Sequence, residues 1–358
     1  MPHRTPPYRR PERPAAPRHE CEADVLEGLE DFARDELSAR FGNRVRFGAD
    51  RPGALRFGFV GEPRELLALR SVVAVYLVLE FDIPRPKALL GNQQFGMVAH
   101  AADLALGLAP GAYATLRLSA AGENSAVLTR FKQQLADRCG LAVAEAEGDL
   151  LLRLRRAEAG WELLVRLTPR PLATRAWRVC NLPGSLNATL AHAMAVLLEP
   201  ARHESALNIG CGSGTILIEL LLLCQTKQAI GCDTDPAAIE CARRNLAAAG
   251  LARAARLEPW DAGALPMADA SVDIIAADLP FGQLVGSHRE NQELYPRLVA
   301  EAARVARPGA RMALLTHEVR LLEQVAARFA AQWGVREVLR VRSGGMAPRI
   351  VLLERLAS

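Results

Sequence analysis

The sequence predicts an α/β protein in which a doubly wound, seven-stranded sheet forms the C-terminal half and smaller α+β units precede it. Three observations support this class. A short apolar strand, a glycine-rich turn and an apolar helix follow one another between residues 206 and 224. From residue 205 onward, predicted strands and helices alternate. A length of 358 residues also leaves room for one or two further domains.

The composition fits a folded protein and leaves the partner open. Half of the residues are hydrophobic, which supplies enough apolar surface for a large core. The net charge is only +4, and the basic residues are nearly all arginine, because lysine occurs only at positions 87, 132 and 227. Arginine suits phosphate binding, but a GC-rich genome also favours arginine over lysine. The overall charge therefore does not decide whether the protein binds nucleic acid.

The cysteine and hydropathy patterns predict a cytoplasmic protein. The seven cysteines show no C-x-x-C spacing, which argues against a zinc site and a disulfide framework and favours a reducing compartment. No apolar run is as long as a membrane span, and no secretory signal is visible. We therefore expect no metal and no membrane partner.

The N-terminal part begins with a predicted disordered tail, residues 1–19, which is rich in proline and arginine. Residues 20–85 are then predicted to form one small module. Its β/α alternation is typical of ferredoxin-like folds. The predicted elements are a helix over 24–41, strands over 44–47 and 54–60, a helix over 62–69 and a strand over 72–81.

Residues 86–168 are predicted to form a second α+β unit that carries many arginines. Its predicted elements are helix 89–109, strand 113–118, helix 125–139 and a hairpin of strands 150–156 and 161–167. The arginines on or beside the hairpin are Arg153, Arg155, Arg156, Arg166 and Arg170. They either grip the phosphates of an RNA end or form an ordinary solvated face, and both interpretations stay open here.

Residues 169–187 are predicted to be a linker, because Pro169 and Pro171 interrupt the pattern. Trp177 lies between Arg175 and Arg178, which suits either an RNA contact or a brace between domains. At the end of the linker, Asn187 or Thr189 is expected to cap the helix over 190–198.

The C-terminal part, residues 188–358, contains the glycine turn and two well-placed carboxylates. Gly210, Gly212 and Gly214 let the backbone approach a ligand closely, at the start of a helix. Asp233 ends the next strand roughly 20 residues later, where such folds hold a ribose diol. Asp261 follows the third strand. The predicted strands of the sheet are 206–209, 228–232, 254–257, 272–277, 310–315, 336–342 and 349–354.

Three motifs in this order resemble the S-adenosylmethionine-dependent amino-methyltransferases: Gly210-Cys-Gly-Ser-Gly-Thr215, Gly231-Cys-Asp-Thr-Asp-Pro236 and Asp278-Leu-Pro-Phe-Gly282. They are most similar to the tRNA and rRNA guanine-N2 methyltransferases that carry an N-terminal THUMP domain. The resemblance implies a Rossmann-like class I methyltransferase domain whose sheet ends in an antiparallel hairpin. It also implies that a ferredoxin-like module and a THUMP-like RNA-binding domain precede it.

The resemblance implies S-adenosylmethionine as the cofactor and assigns a role to each candidate residue. The backbone of the glycine turn lies close to the adenosyl and methionine groups. Asp233 accepts hydrogen bonds from the ribose hydroxyls, and Asp261 accepts one from the adenine amine. The remaining candidates are Asn187 and Thr189 at the methionine end, Asn208 as a brace of the turn where most relatives have an acid, and Asp278. Helix capping explains Asn187 and Thr189 equally well.

The segment Asp278-Leu279-Pro280-Phe281 is the predicted catalytic turn. Methylating an exocyclic amine requires acceptors that favour a nucleophilic nitrogen, and the Asp278 carboxylate and Leu279 carbonyl suit that role. Pro280 fixes the turn, and Phe281 offers a ring on which the target base stacks. Residues 283–291 are predicted to be a mobile loop that closes over a flipped-out guanosine, with His288 at the surface.

The sequence thus predicts N2-methylation of a guanosine in tRNA, in the acceptor-stem region by resemblance, with rRNA as the second choice. Two alternatives remain: methylation of a protein glutamine or a DNA amine, and a non-catalytic RNA-binding scaffold. A monomer is favoured. Deleting residues 1–170 is expected to abolish RNA methylation and to spare cofactor binding.

Overall fold

The computed structural model describes residues 17–280, 287–342 and 345–357. They form an N-terminal sheet of eight strands and a C-terminal sheet of seven strands, with helices between and around them. Within these ranges, no helix is both long enough and apolar enough to cross a membrane. The predicted tail lies outside them up to residue 16, and so does Phe281.

The N-terminal part spans residues 18–166. In chain order its main elements are β1 (Arg18–Asp24), α1 (Glu30–Phe41), β2 (Val45–Phe47), β3 (Ala54–Val60), β4 (Ala74–Phe81), α2 (Asn92–Leu108), β5 (Thr115–Ala120), α3 (Ala126–Cys139), β6 (Ala142–Val143), β7 (Leu150–Ala157) and β8 (Gly160–Arg166). The strand order is β2-β3-β1-β4-β8-β7-β5-β6. Because β4 pairs with β8, the two segments predicted as separate modules share one continuous sheet.

The prediction was wrong about the first strand. Residues 18–24 form β1 between β3 and β4, so Arg18 and His19 belong to the sheet and not to a tail. The predicted helix over 24–41 begins only at Glu30. Its first apolar residues, Val25 and Leu29, are buried in the connector and belong to the core without being helical. The buried residues of this connector therefore have the spacing of an apolar helix face without being helical.

The C-terminal part begins at residue 188 and is a doubly wound sheet. Its elements are α4 (Ala188–Leu197), β9 (Ser205–Ile209), α5 (Thr215–Leu223), β10 (Gln228–Cys232), α6 (Pro236–Ala248), β11 (Arg256–Glu258), β12 (Val272–Asp278), α7 (His288–Val305), β13 (Ala306–Thr316), α8 (Val319–Arg328), β14 (Trp333–Arg340) and β15 (Arg349–Arg355). The strand order is β11-β10-β9-β12-β13-β15-β14. Among these strands β15 alone runs opposite to the other six, and it pairs antiparallel with β13 and β14, which confirms the predicted terminal hairpin.

Two apolar cores cover the two faces of this sheet. On one face, Ala276 and Leu315 belong to a core that continues through Leu190 of α4 into the N-terminal sheet at Val72. On the other face, a second core packs beneath α7 and α8. Every residue of α4 from Ala188 to Ala195 is buried. A helix that is buried on all sides lies inside a core, so α4 is shared by both parts of the molecule.

A buried ionic cluster joins the two parts at the same place. The carboxylate of Glu219 in α5 is fully buried and accepts from Arg175 of the linker and from Arg70 beside the N-terminal sheet, each at 2.8 Å. Nδ1 of His192 in α4 lies 3.2 Å from Glu219. Burial alone raises the pKa of Glu219, but His192 and the two arginines outweigh it and lower the pKa to about 2.

The linker braces the two parts. Trp177 is buried, and Arg178 donates to Thr215 at the start of α5 at 2.9 Å. A disulfide joins Cys180 of the linker to Cys241 of α6. The sequence argued against disulfides because no cysteine spacing marks one. This pair is 61 residues apart and meets only through the fold.

Candidate active site

The glycine turn follows β9 at the centre of the C-terminal sheet. Gly210, Gly212 and Gly214 all have positive φ angles, of 59°, 51° and 80°, which L side chains rarely adopt. A hydrogen bond of 2.8 Å from the Cys211 amide to the Cys232 carbonyl ties the turn to β10. The backbone thus requires glycine here, and it places the turn at the carboxyl ends of the strands.

Asp233 secures the turn from the next strand. One carboxylate oxygen accepts from the Gly212 amide at 2.9 Å, and the other accepts from the Asp235 amide at 3.0 Å. Asp235 caps α6 by accepting from the Ala237 amide at 2.8 Å. Each carboxylate oxygen has a second lone pair, so Asp233 keeps acceptor capacity toward a ligand.

A cavity of about 620 Å³ opens where the strand order reverses, between β9 and β12. This is the place at which open α/β sheets bind ligands. The predicted site residues that line it are Gly210, Gly212, Asp233, Asp261, Asp278, Leu279 and Pro280. The structure therefore brings together the glycine turn, two carboxylates and the catalytic turn that the sequence singled out.

Four other predicted residues do not line the cavity: Asn187, Thr189, Asn208 and Gly214. Asn187 caps α4 by accepting from the Thr189 amide at 2.8 Å. The hydroxyl of Thr189 is buried and donates to the Val72 carbonyl in the N-terminal part. These contacts fit the capping alternative. The adjacent segment Leu182–Leu186 lines the cavity instead, and a contact of Asn187 or Thr189 with the cofactor stays a prediction.

Asn208 contacts the backbone just before the glycine turn, because its side-chain amide donates to the Ile209 carbonyl at 3.4 Å. Its side-chain amide donates to the Ala276 carbonyl at 3.1 Å, so it links β9 to β12. Its oxygen is buried without a hydrogen-bond partner in the described part of the chain. An ionised acid at this position would leave a buried charge beside that carbonyl, which explains why a neutral amide suits this packing.

Asp261 lies on the exposed side of the cavity. It accepts from the Gly263 amide at 2.8 Å and from Arg297 of α7 at 3.0 Å. The backbone hydrogen bond is the larger cause of a lowered pKa, and Arg297 adds to it. The carboxylate is therefore charged and already held by two donors.

Asp278 ends β12 at the wall of the cavity. Its Oδ1 is buried and has no hydrogen-bond partner among the described residues. Burial raises the pKa of Asp278 to about 7, and no cation among the described residues offsets it. An unpartnered buried acceptor is costly for the fold alone, so Oδ1 of Asp278 keeps its capacity to accept a hydrogen bond at the wall of the cavity.

The catalytic turn is held from behind by α7 and β13. The Leu279 amide donates to the Leu315 carbonyl at 2.9 Å. The Pro280 carbonyl accepts from the Tyr295 hydroxyl at 2.7 Å and from the Asn291 amide at 2.8 Å. Tyr295 also contacts the Thr316 hydroxyl at 3.1 Å. Sequence reasoning missed these residues because nothing local marks them.

The loop predicted over 283–291 is shorter than expected. Ser287 caps α7, which begins at His288, so residues 288–291 are helical. His288 is exposed and pairs with Glu318, as a surface residue does. Residues 281–286, including the predicted stacking residue Phe281, lie outside the described residues.

Three of the five arginines on or beside the N-terminal hairpin are occupied within the protein. Arg153 pairs with Asp24 at 2.7 Å, and Arg155 pairs with Glu22 at 2.6 Å. Arg166 is buried and donates to backbone carbonyls, including that of Thr168 at 2.8 Å. These three side chains therefore do not form an ordinary solvated face, and they are not free to bind phosphates.

The comparisons with known proteins agree with this geometry. A family model described as RMKL-like, methyltransferase domain matches residues 175–349. Over 348 residues, the chain is 33% identical to the tRNA (guanine(6)-N2)-methyltransferase of Thermus thermophilus, and the match covers 94% of this chain and 99% of that one. The chain belongs to this RNA guanine-N2 methyltransferase family.

Further members of the family are similar in part or in structure. The mouse tRNA (guanine(6)-N(2))-methyltransferase THUMP3 is 32% identical over 189 residues, which are 49% of this chain and only 37% of the mouse protein. The crystal structure of TrmN from Thermus thermophilus has a TM-score of 0.71 at 27% identity and covers 94% of this chain and 99% of its own. The fold is that of the S-adenosylmethionine-dependent methyltransferases.

Proposed function

We propose that this protein transfers the methyl group of S-adenosylmethionine to N2 of a guanosine in tRNA, in the acceptor-stem region. The observation that carries the proposal is one cavity in which the glycine turn, Asp233 and the unpartnered carboxylate of Asp278 meet. The printed names of relatives, which specify guanine N2 in tRNA, support the substrate.

The cavity has the donors and acceptors that S-adenosylmethionine needs. We expect the amides of the glycine turn to face its methionine end and Asp233 to accept from its ribose hydroxyls. Asp261, at the exposed side, would accept from the adenine amine. The cavity volume of about 620 Å³ lies within the range of small-molecule and cofactor sites.

When bound, S-adenosylmethionine supplies an electrophilic methyl group. The residues of this chain then orient and activate the guanine amine. Asp278 and the Leu279 carbonyl accept from its two N–H groups, which holds the nitrogen lone pair toward the methyl carbon. Asp278 needs to be ionised to accept in this way, and Tyr295 and Asn291 keep the turn in place.

The N-terminal part is proposed to bind the RNA. We keep the division of the chain that the sequence predicts. Residues 20–85 are the ferredoxin-like module, 86–168 the THUMP-like domain, 169–187 the linker and 188–358 the methyltransferase domain. Relatives that are named for tRNA and for U6 snRNA support an RNA partner.

The test is methyl transfer from radiolabelled S-adenosylmethionine to unmodified total tRNA, with rRNA, DNA and a glutamine-containing protein as parallel acceptors. We expect label in tRNA, recovered as N2-methylguanosine. Label only in rRNA would show that rRNA, the second choice, is the substrate. Label in neither RNA, from protein that binds the cofactor, contradicts the proposal.

The role of Asp278 is tested in the same assay. Asp278→Ala is expected to lower kcat at least 100-fold, by analogy with removing one preorganised catalytic group, while S-adenosylmethionine and tRNA still bind. The matched control is Asp273→Ala, at the opposite end of the same strand, where the carboxylate pairs with Arg307. Full activity of the Asp278 variant would remove it from the mechanism.

A further inference from the structure

The active-site edge of the C-terminal sheet extends from the catalytic turn to the terminal hairpin. Asp278 is aligned with Leu315 of β13, which is aligned with Ile350 of β15. One residue further toward this edge, Thr316 pairs with Arg349, and Arg349 pairs with Arg340 of β14. Neighbouring strands lie about 4.8 Å apart. Arg349 and Arg340 are therefore roughly 10 and 15 Å from the strand that carries Asp278.

These two arginines are accompanied by two more at the same edge. Arg289 lies in the first turn of α7 and Arg320 in the first turn of α8, and both helices start at the carboxyl ends of β12 and β13. We call these four residues, Arg289, Arg320, Arg340 and Arg349, the rim arginines. Arg349 is half-buried and the other three are exposed.

The rim arginines lack carboxylate partners in the described part of the chain. Most arginines nearby are neutralised: Arg342 pairs with Glu27 at 3.0 Å, and Arg297 pairs with Asp261. Three of the five N-terminal hairpin arginines, Arg153, Arg155 and Arg166, are also paired or buried, whereas Arg156 and Arg170 are exposed without a carboxylate partner among the described residues. The rim arginines are thus a group of free positive charges on the edge of the sheet that carries the catalytic turn.

The terminal hairpin, formed by β14 and β15, is held firmly against the N-terminal part. The Arg342 amide donates to the Glu27 carbonyl at 2.8 Å. A Cβ atom on Gly28 would lie 2.1 Å from the Arg340 carbonyl, so only glycine permits this approach. Between them is a cavity of about 460 Å³ that Arg340 and Arg342 help to line. Arg340 therefore lies between the N-terminal part and the edge of the sheet that carries the catalytic turn.

We infer that the rim arginines bind backbone phosphates of the substrate RNA on the nucleotides that flank the target guanosine. The inference rests on the proposed function, because it names how the same site holds its RNA. The planar guanidinium fork matches two phosphate oxygens and stays charged at all relevant pH values. Such contacts fix the position of the strand and carry no sequence information.

The test compares variants that lose unpaired arginines at the rim with a control that loses two unpaired arginines elsewhere. The rim variants are Arg340→Ala/Arg349→Ala and the replacement of all four rim arginines by alanine. The control, Arg202→Ala/Arg253→Ala, changes two exposed residues that precede β9 and β11, at the opposite edge of the sheet. Equilibrium binding of unmodified tRNA is measured over a series of salt concentrations, together with methyl transfer and S-adenosylmethionine binding.

Each lost phosphate contact reduces the slope of log affinity against log salt by about 0.7 to 0.9. We therefore expect a reduction of about 1.4 to 1.8 for the rim pair and about twice that for all four. The control pair is expected to keep the wild-type slope. The affinity for S-adenosylmethionine should stay unchanged in every variant, and kcat at saturating tRNA should stay unchanged in the control pair.

Two results overturn the inference. If the wild type methylates tRNA but the rim variants keep its salt slope, the phosphates are bound elsewhere and the proposed function survives. If the control pair loses as much as the rim pair, total charge and not the rim governs binding. A wild type that neither binds nor methylates RNA overturns the proposed function as well.

Discussion

At the scale of single residues, the ionisation of Asp278 predicts a pH dependence. Its pKa of about 7 in the free protein results from burial without a counter-charge. Because the ionised form is the one that accepts from the guanine amine, kcat/KM should rise about tenfold per pH unit below 7 and level off above it. Initial rates between pH 5.5 and 9 measure this. A flat profile between pH 6 and 8 contradicts it.

The same pKa makes a prediction about stability that checks the first independently of catalysis. The folded pKa is raised above the unfolded value of about 3.8, so the folded state binds more protons between pH 4 and 7. The free energy of unfolding should fall as pH rises through this window. Asp278→Asn removes the effect, and above pH 7 it should gain stability, by at most about 4 kcal/mol.

Tyr295 is predicted to act through the catalytic turn. Tyr295→Phe removes one of the two donors to the Pro280 carbonyl, so kcat should fall about fivefold, equivalent to about 1 kcal/mol, with KM for tRNA unchanged. Tyr113→Phe is the matched control, because its hydroxyl also donates to a backbone carbonyl, that of Leu167 at 3.1 Å, far from the cavity. Both variants should lose similar stability. An equal loss of kcat in both would show a purely structural role.

At the scale of elements, the link between the linker and α6 is open to direct measurement. The structure joins Cys180 to Cys241 and leaves five free cysteines out of seven. Titration of the denatured, unreduced protein should therefore find five thiols. Reduction should lower the free energy of unfolding by about 2–4 kcal/mol. Cys180→Ser should lower it equally and respond no further to reductant, and seven thiols in the untreated protein would contradict the link.

The elements also show which parts of the fold local sequence encodes. The alternation from β9 to β15 was predicted well, because glycine turns and apolar periods are local signals. β1 was not predicted, because its pairing with β3 and β4 depends on residues far along the chain. Similarly, Arg166 looked exposed from the alternation of its hairpin, yet it is buried because β8 also pairs with β4.

The candidate site likewise contains residues that the sequence identified and residues that it did not. The sequence motifs identified the residues that line the cavity, since Gly210, Asp233 and Asp278 each follow a strand at a fixed spacing. The residues that hold the catalytic turn were not identified. Tyr295 and Thr316 are 21 residues apart and meet only because α7 packs beside β13. Long-range packing leaves no periodic trace in a single sequence.

At the scale of the whole molecule, Glu219 is predicted to stabilise both parts at once. Glu219→Gln leaves the buried Arg175 without its counter-charge, so the free energy of unfolding should fall by about 3–5 kcal/mol in chemical denaturation. Glu258→Gln removes an ion pair with the exposed Arg256 and should cost less than about 1 kcal/mol. Comparable losses in the two variants would mean that the buried cluster contributes no more to the free energy of unfolding than an exposed ion pair does.

The helix α4, enclosed on every side between the two sheets, bears on how this chain can be divided in the laboratory. Removing residues 1–170 would strip one wall from that helix and expose Leu190, Ala191 and Met194 to water. Such a fragment is expected to aggregate, so its inactivity would say nothing about RNA. By the same logic, a protease acting on the native protein should release no stable methyltransferase fragment by cutting between the two sheets.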